Sequence, residues 1–133
     1  MNKIIICVDD EPIILHVLKG LIRQKFGNKL VCETANDAEE AINLIKEINS
    51  DDYSKIILVI SDWQMPGMKG DELLIYLNEI YPEISSIMIT GQANLEAKKR
   101  VIEVAGALKI LEKPWDNNEL FGIIEKLIIE KGN

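Results

Sequence analysis

Histidine and cysteine are nearly absent from this chain, which has one His and two Cys in 133 residues. Cys7 and Cys32 form no CxxC or other metal-ligand spacing, and each lies inside an apolar run. They read as reduced, buried thiols of a cytosolic protein rather than as zinc ligands or a disulfide framework. No apolar run approaches the roughly 18 residues of a membrane span. Pro/Ser-rich linkers, repeats and low-complexity tracts are missing as well. Met1-Asn2-Lys3 leads directly into the apolar run Ile4–Val8, which has an acidic end and no small-residue cleavage site. That pattern is a buried strand and not a signal peptide. Basic residues are outnumbered, 15 Lys and Arg against 22 Asp and Glu, for a net charge of −7. This balance argues against nucleic-acid binding. The one basic cluster, Lys98-Lys99-Arg100, reads as a solvated helix face. What remains is 47% hydrophobic and 28% charged. That composition suits an ordinary globular protein, expected to form a single domain over residues 1–133.

Five short apolar runs alternate with five helix-like segments. The strands are expected at Lys3–Val8, Leu30–Thr34, Ile56–Ser61, Ser86–Thr90 and Ala107–Leu111. Ile4–Val8, Ile56–Ile60 and Ile87–Ile89 are almost continuously apolar, as central strands covered on both faces must be. Ile14, Leu18, Leu21 and Ile22 recur at helical spacing, with Pro12 in the opening turn. Asn36 and Glu39 resemble a capping box for the second helix, and Asp116 with Glu119 repeats the signal before the last, where Trp115 could staple onto Leu120. Asn49–Ser54 is a polar loop. Regular alternation of strand and helix implies a parallel sheet with right-handed crossovers, hence a three-layer α/β domain.

In open α/β sheets, ligands bind beyond the carboxyl ends of the strands. Here the first strand ends in Asp9-Asp10, the third in Asp62 and the fourth in Thr90, while the fifth leads to Lys113-Pro114. Three carboxylates crowded together repel, and a hard divalent cation resolves this. Carboxylate oxygens plus water suit Mg²⁺, and no His or Cys at a strand end supports Zn²⁺. A carboxylate is also a competent nucleophile toward phosphorus. Phosphoryl transfer then asks for in-line positioning and neutralised equatorial oxygens, which Mg²⁺, the Lys113 ammonium and the Thr90 hydroxyl can supply. Singly, each residue has a plainer reading: Asp9 or Asp10 as a helix cap, Asp62 as a turn former, Thr90 as a strand residue, Lys113 as a solvated lysine. Four strand ends carrying the right groups together make the phosphoryl reading the stronger one.

The segments Val8-Asp9-Asp10-Glu11, Ser61-Asp62-Trp63-Gln64-Met65-Pro66-Gly67-Met68-Lys69-Gly70, Thr90-Gly91-Gln92-Ala93 and Glu112-Lys113-Pro114-Trp115 resemble the motifs of the response-regulator receiver domain, the CheY-like superfamily of two-component signalling. The resemblance runs over essentially the whole chain. It implies a flavodoxin-like (βα)5 fold with strand order 2-1-3-4-5. It also implies Asp62 as the phosphorylation site, Asp10 as a direct Mg²⁺ ligand, Asp9 holding the metal through water, and the Gln64 backbone carbonyl as a further ligand. Thr90 would be the switch hydroxyl and Lys113 the phosphate-binding lysine. The donor would be a phosphohistidine on a sensor histidine kinase or phosphotransfer protein, and His16, inside the first helix, is not that donor. Such a protein is a cytoplasmic signalling switch rather than an enzyme, catalysing only its own phosphorylation and slow autodephosphorylation. Its output would be a downstream effector domain or protein, or a phosphorylation-dependent dimer, with no membrane or nucleic-acid contact of its own.

Two positions depart from the pattern. Lys69 stands where the family often has Asp, read as a surface change of little consequence. Ile110 occupies the place of an aromatic switch residue, so the signal is expected instead in the loop Gly91–Asn94 and the fourth helix. Three other readings compete. A haloacid-dehalogenase-like phosphatase needs a second acid two residues after the nucleophile, where Gln64 stands. An FMN carrier needs a phosphate loop where Asp9-Asp10-Glu11-Pro12 would repel one. A degenerate receiver that only binds partners would not keep all five site residues. The chain ends just after the last helix pattern, as a stand-alone receiver or as a domain of a longer regulator would.

Overall fold

Strand β1 (Asn2–Val8) is buried from Ile4 onward, and β3 (Ser54–Asp62) is buried from Ile56 onward. A strand hidden on both faces needs neighbours and helices on every side. The computed structural model, which describes residues 2–131, places them so: five parallel strands in the order β2-β1-β3-β4-β5. The remaining strands are β2 (Val31–Ala35), β4 (Ser85–Thr90) and β5 (Lys109–Glu112). The connecting helices are α1 (Pro12–Phe26), α2 (Ala38–Asn49), α3 (Gly70–Ile80), α4 (Leu95–Glu103) and α5 (Asn117–Glu130). This is the flavodoxin-like arrangement.

Side chains alternate between two cores. Ile4, Ile6 and Val8 pack with α2, α3 and α4, whereas Ile5 and Cys7 face α1 and α5. The pairing of β1 with β3 skips from Ile4↔Ile56 to Ile5↔Leu58. That one-residue bulge explains why the consecutive residues Ile57 and Leu58 both serve the α1–α5 core. Beyond the bulge the register is even: Val8 sits opposite both Ala35 and Ser61, and Asp62 sits opposite Ile89. The carboxyl ends of β1, β3 and β4 are therefore level, as a site assembled across them requires.

Elements differ from the expected ones in three instructive ways. β2 runs Val31–Ala35, one residue later than expected, with Leu30 buried just before it. β5 begins at Lys109 rather than Ala107, because the Ala107 amide bonds the Val101 carbonyl at 2.9 Å and closes the end of α4. The second helix is capped by Asp37, whose Oδ1 accepts the Glu40 amide at 2.8 Å; Asn36 only reaches the Glu40 side chain. Asp116 does cap α5, accepting the Asn118 amide at 2.8 Å, and Trp115 packs into the same core as Leu120.

The basic cluster is no solvated face throughout. Lys98 pairs with Glu112 at 2.7 Å, and Arg100 reaches inward to the wholly buried Asp71. Cys7 and Cys32 are buried free thiols with their sulfurs 3.6 Å apart. Hydrogen bonding to Cys32 and burial together hold the Cys7 thiol well above its ordinary pKa. Among the described residues, no helix is long and apolar enough to cross a membrane.

Candidate functional site

Asp62 is the last residue of β3, and Thr90 is the last of β4. Asp9 follows β1, with its amide bonded to the Ala35 carbonyl. Lys113 follows β5, its amide tied to the Thr90 carbonyl at 3.0 Å. Backbone ladders thus set the position of every reactive side chain. The Lys113 Nζ lies 3.1 Å from Asp62 Oδ1 and 3.3 Å from Asp9 Oδ2, with Glu11 farther out at 3.8 Å. A cleft of about 420 Å³ opens onto this group, lined by Asp10, Asp62, Gln64, Thr90 and Lys113 among others. The residues expected at the site are brought together. His16 is exposed on α1 and is not among the cleft's lining residues.

Electrostatics at the site are unbalanced. Burial pushes Asp62 up to about 6, the charges of Asp9 and Asp10 add to this, and Lys113 offsets only part of it. Asp9 is also raised, again chiefly by burial, although the Glu11 amide and Lys113 pull it back. For Lys113, burial works against the ammonium, but Asp62 and Asp9 outweigh it and its pKa rises. One firm cation therefore serves two buried acids. Asp9, Asp10 and Asp62 each offer a carboxylate oxygen, and these atoms lie within 4.8 Å of one another. An all-oxygen donor set with surplus negative charge suits a hard divalent cation, and Mg²⁺ fits it.

The Thr90 Oγ1 accepts two backbone N–H groups, from Gln92 at 3.1 Å and Ala93 at 2.8 Å. A hydroxyl oxygen that accepts keeps its own proton for donation, and these two bonds tie down the loop before α4. Ile110 lies opposite Met88 and is only half-buried against the α2–α4 core.

Several supporting residues carry no signal that reading the motifs one by one would detect. Gly70 is one: a Cβ there would overlap the Asp62 carbonyl and lie 2.9 Å from the Trp63 Cα. Only glycine lets α3 start directly beneath Asp62. Lys69 is no idle surface residue either. Its Nζ sits 4.6 Å above the Trp63 ring, while its amide donates to Glu72 Oε1 at 3.3 Å. The Trp63 indole N–H in turn donates to Asp71 Oδ1 at 3.0 Å.

Residues 5–125 match the family model described as the response regulator receiver domain. Among relatives, the DNA-binding transcriptional regulator NtrC of Proteus hauseri is 32% identical over 91% of this chain, which spans 24% of that protein. The uncharacterized transcriptional regulatory protein YesN of Bacillus subtilis is 29% identical over 98% of the chain, which spans 33% of it. The chain thus covers a third or less of the length of these relatives. Among solved structures, the CheY-like receiver domain protein from Methanospirillum hungatei is 31% identical, with TM-score 0.83 and full coverage of both chains. The signal receiver domain of an HD domain-containing protein from Pseudomonas fluorescens is 27% identical, with TM-score 0.86 over 99% of this chain and 98% of that one.

Proposed function

The chain belongs to the response regulator receiver domain family, and from that premise we propose that it accepts a phosphoryl group on Asp62 from a phosphohistidine. The observation that carries this reading is the placement of Lys113 against both Asp62 and Asp9 in one cleft with Thr90. Asp10, Asp62 and the Gln64 carbonyl would hold Mg²⁺, with Asp9 acting through water, and the ion would supply neutralising charge for the phosphoryl oxygens. The chain's own groups do the rest. An Asp62 carboxylate oxygen attacks phosphorus in line, the P–N bond of the donor breaks, and the imidazole nitrogen keeps the electron pair. Lys113 neutralises one equatorial oxygen, and the Thr90 hydroxyl donates to another. Burial and the neighbouring acids raise Asp62 to about 6 even with Lys113 beside it, so the nucleophile is mainly carboxylate at neutral pH, and a bound cation would keep it so at lower pH.

The donor is a sensor histidine kinase or phosphotransfer protein. A second groove supports such docking: Ile14, Val17, Leu21, Pro114 and Trp115 line about 560 Å³ of it, and Lys113 borders both this groove and the phosphoryl cleft. The domain acts as a cytoplasmic signalling switch rather than an enzyme with a separate substrate. Its output passes to an effector domain or protein, with a phosphorylation-dependent dimer as one form of that output. Acetyl phosphate tests the chemistry: with Mg²⁺ the intact mass should rise by roughly 80 Da, one phosphoryl group on a base-labile carboxylate. Asp62→Asn should take up none, and labelling of that variant at the wild-type rate removes the proposal.

A further inference from the structure

Asp71 is fully buried, yet the phosphoryl-transfer scheme does not use it. Its two oxygens are both engaged. Oδ1 accepts the Trp63 indole N–H, and Oδ2 pairs with the Arg100 guanidinium, whose side chain is 48% exposed. A buried carboxylate tolerates its surroundings only while such partners hold it. The two sides of this contact differ in rigidity. On one side, the Trp63 amide bonds the Ile89 carbonyl and its own carbonyl accepts the Gly70 amide at 2.8 Å. Gly70 is packed onto Asp62, so Asp71 beside it is a fixed post. On the other side, α4 buries only Ala97 and Val101 of its nine residues. Its leading loop is tied down by the two amides on Thr90 Oγ1.

We propose that the Arg100–Asp71 ion pair is a lock that seats α4 in the unphosphorylated state and sets how readily the domain switches. This rests on the reading of Asp62 as the acceptor. When the Thr90 hydroxyl turns to the phosphoryl group, its oxygen leaves the Gln92 and Ala93 amides and frees the loop before α4. A short helix with two buried side chains then tilts as a body, and a guanidinium aligned on a fixed carboxylate cannot follow it. A contact made in one state and lost in the other shifts their balance by its own differential strength. Breaking it in advance therefore favours the phosphorylated form.

Calorimetric titration with beryllofluoride, a phosphoryl mimic, in saturating Mg²⁺ tests this directly. Arg100→Gln should tighten beryllofluoride binding about fivefold, the lower end of ordinary allosteric coupling. Mg²⁺ affinity should not change. Lys99→Gln removes the same charge from α4 without touching Asp71 and should bind as wild type does, which separates the lock from a general loss of positive charge. If Arg100→Gln fails to fold because Asp71 is left unpaired, Asp71→Asn with Arg100→Gln leaves no unpaired charge at this contact, and the same tightening is expected of it. A wild type that binds beryllofluoride, with variants that bind it equally or more weakly, overturns the lock alone. A wild type that binds none overturns the acceptor reading, and the lock with it.

Discussion

The two halves of the sheet are built to different standards. Around β1 and β3 every residue from Ile4 to Val8 and from Ile56 to Asp62 is buried, and helices cover both faces. Toward the β5 edge the fold thins out: β4 is still buried from Ser86 to Thr90, but β5 has four residues, of which only Leu111 is buried. The helix between them exposes Leu95 and Ile102, and Val104 just after it is exposed too. The acids of the proposed chemistry stand on the thick half. The Thr90 hydroxyl stands at the border, at the end of β4, and the helix that would report the change lies on the thin side. Holding nucleophile and metal ligands to tight geometry needs rigid strands, whereas a switch needs an element of low local stability.

Core truncations should show the contrast most strongly. Ile57→Ala removes a fully buried side chain at the bulge and should cost about 3–5 kcal/mol in denaturant unfolding. Ile110→Ala, half-buried on the thin side, should cost only about 1–2 kcal/mol. Equal losses at the two positions would erase the distinction.

Removing the site's own charge comes next in size. Asp62 is raised from 3.8 to about 6, so between those values the folded metal-free protein binds the proton that the unfolded chain has released. Stability then falls as pH rises through that window, by roughly 3 kcal/mol for a shift of this size. Metal-free Asp62→Asn should accordingly be more stable than wild type at pH 7 by about 2–3 kcal/mol, and no more stable at pH 3.5, below both values. Added Mg²⁺ should narrow the difference at pH 7 by stabilising wild type. A variant no more stable at pH 7 would mean that the acids are balanced without metal.

Thr90→Ala should have a smaller effect on stability, about 1 kcal/mol, from the two amides left without their acceptor. It should still take the phosphoryl group from acetyl phosphate but lose the response of α4. Smallest of all, Asp10→Ala should leave stability nearly unchanged, since Asp10 is exposed, while weakening Mg²⁺ binding more than Asp9→Ala does. Calorimetric Mg²⁺ titrations of the two variants give the order directly.

The thick half was also the legible half. Continuous apolar runs that end in Asp9-Asp10, Asp62 and Thr90 announce central strands and the edge where they meet, because burial on both faces leaves no room for polar residues until the strand ends. β5 was harder to place. Ala107 and Leu108 look like strand residues, but the Ala107 amide is taken by α4, and Leu108 is half exposed. The Asp71–Arg100 pair was invisible for a different reason. Its members are 29 residues apart, on two helices, and each alone reads as an ordinary charged helix residue. Gly70 stands within a quoted motif, but its role depends on how closely α3 approaches Asp62, which only the fold reveals. Lys69, read as idle, proved to cover the Trp63 ring. Local pattern shows strands and their ends; contacts between distant segments need the three-dimensional arrangement.

Amide hydrogen exchange, compared between the metal-free protein and the Mg²⁺–beryllofluoride complex, tests the division between chemistry and switch most directly. Exchange should change in Gly91–Glu103, where Thr90 releases its two amides and α4 leaves its seat. It should stay slow and unaltered in Ile4–Val8 and Ile56–Ile60. Changes spread through those two strands, or confined to Lys109–Glu112 with Gly91–Glu103 untouched, would contradict the account.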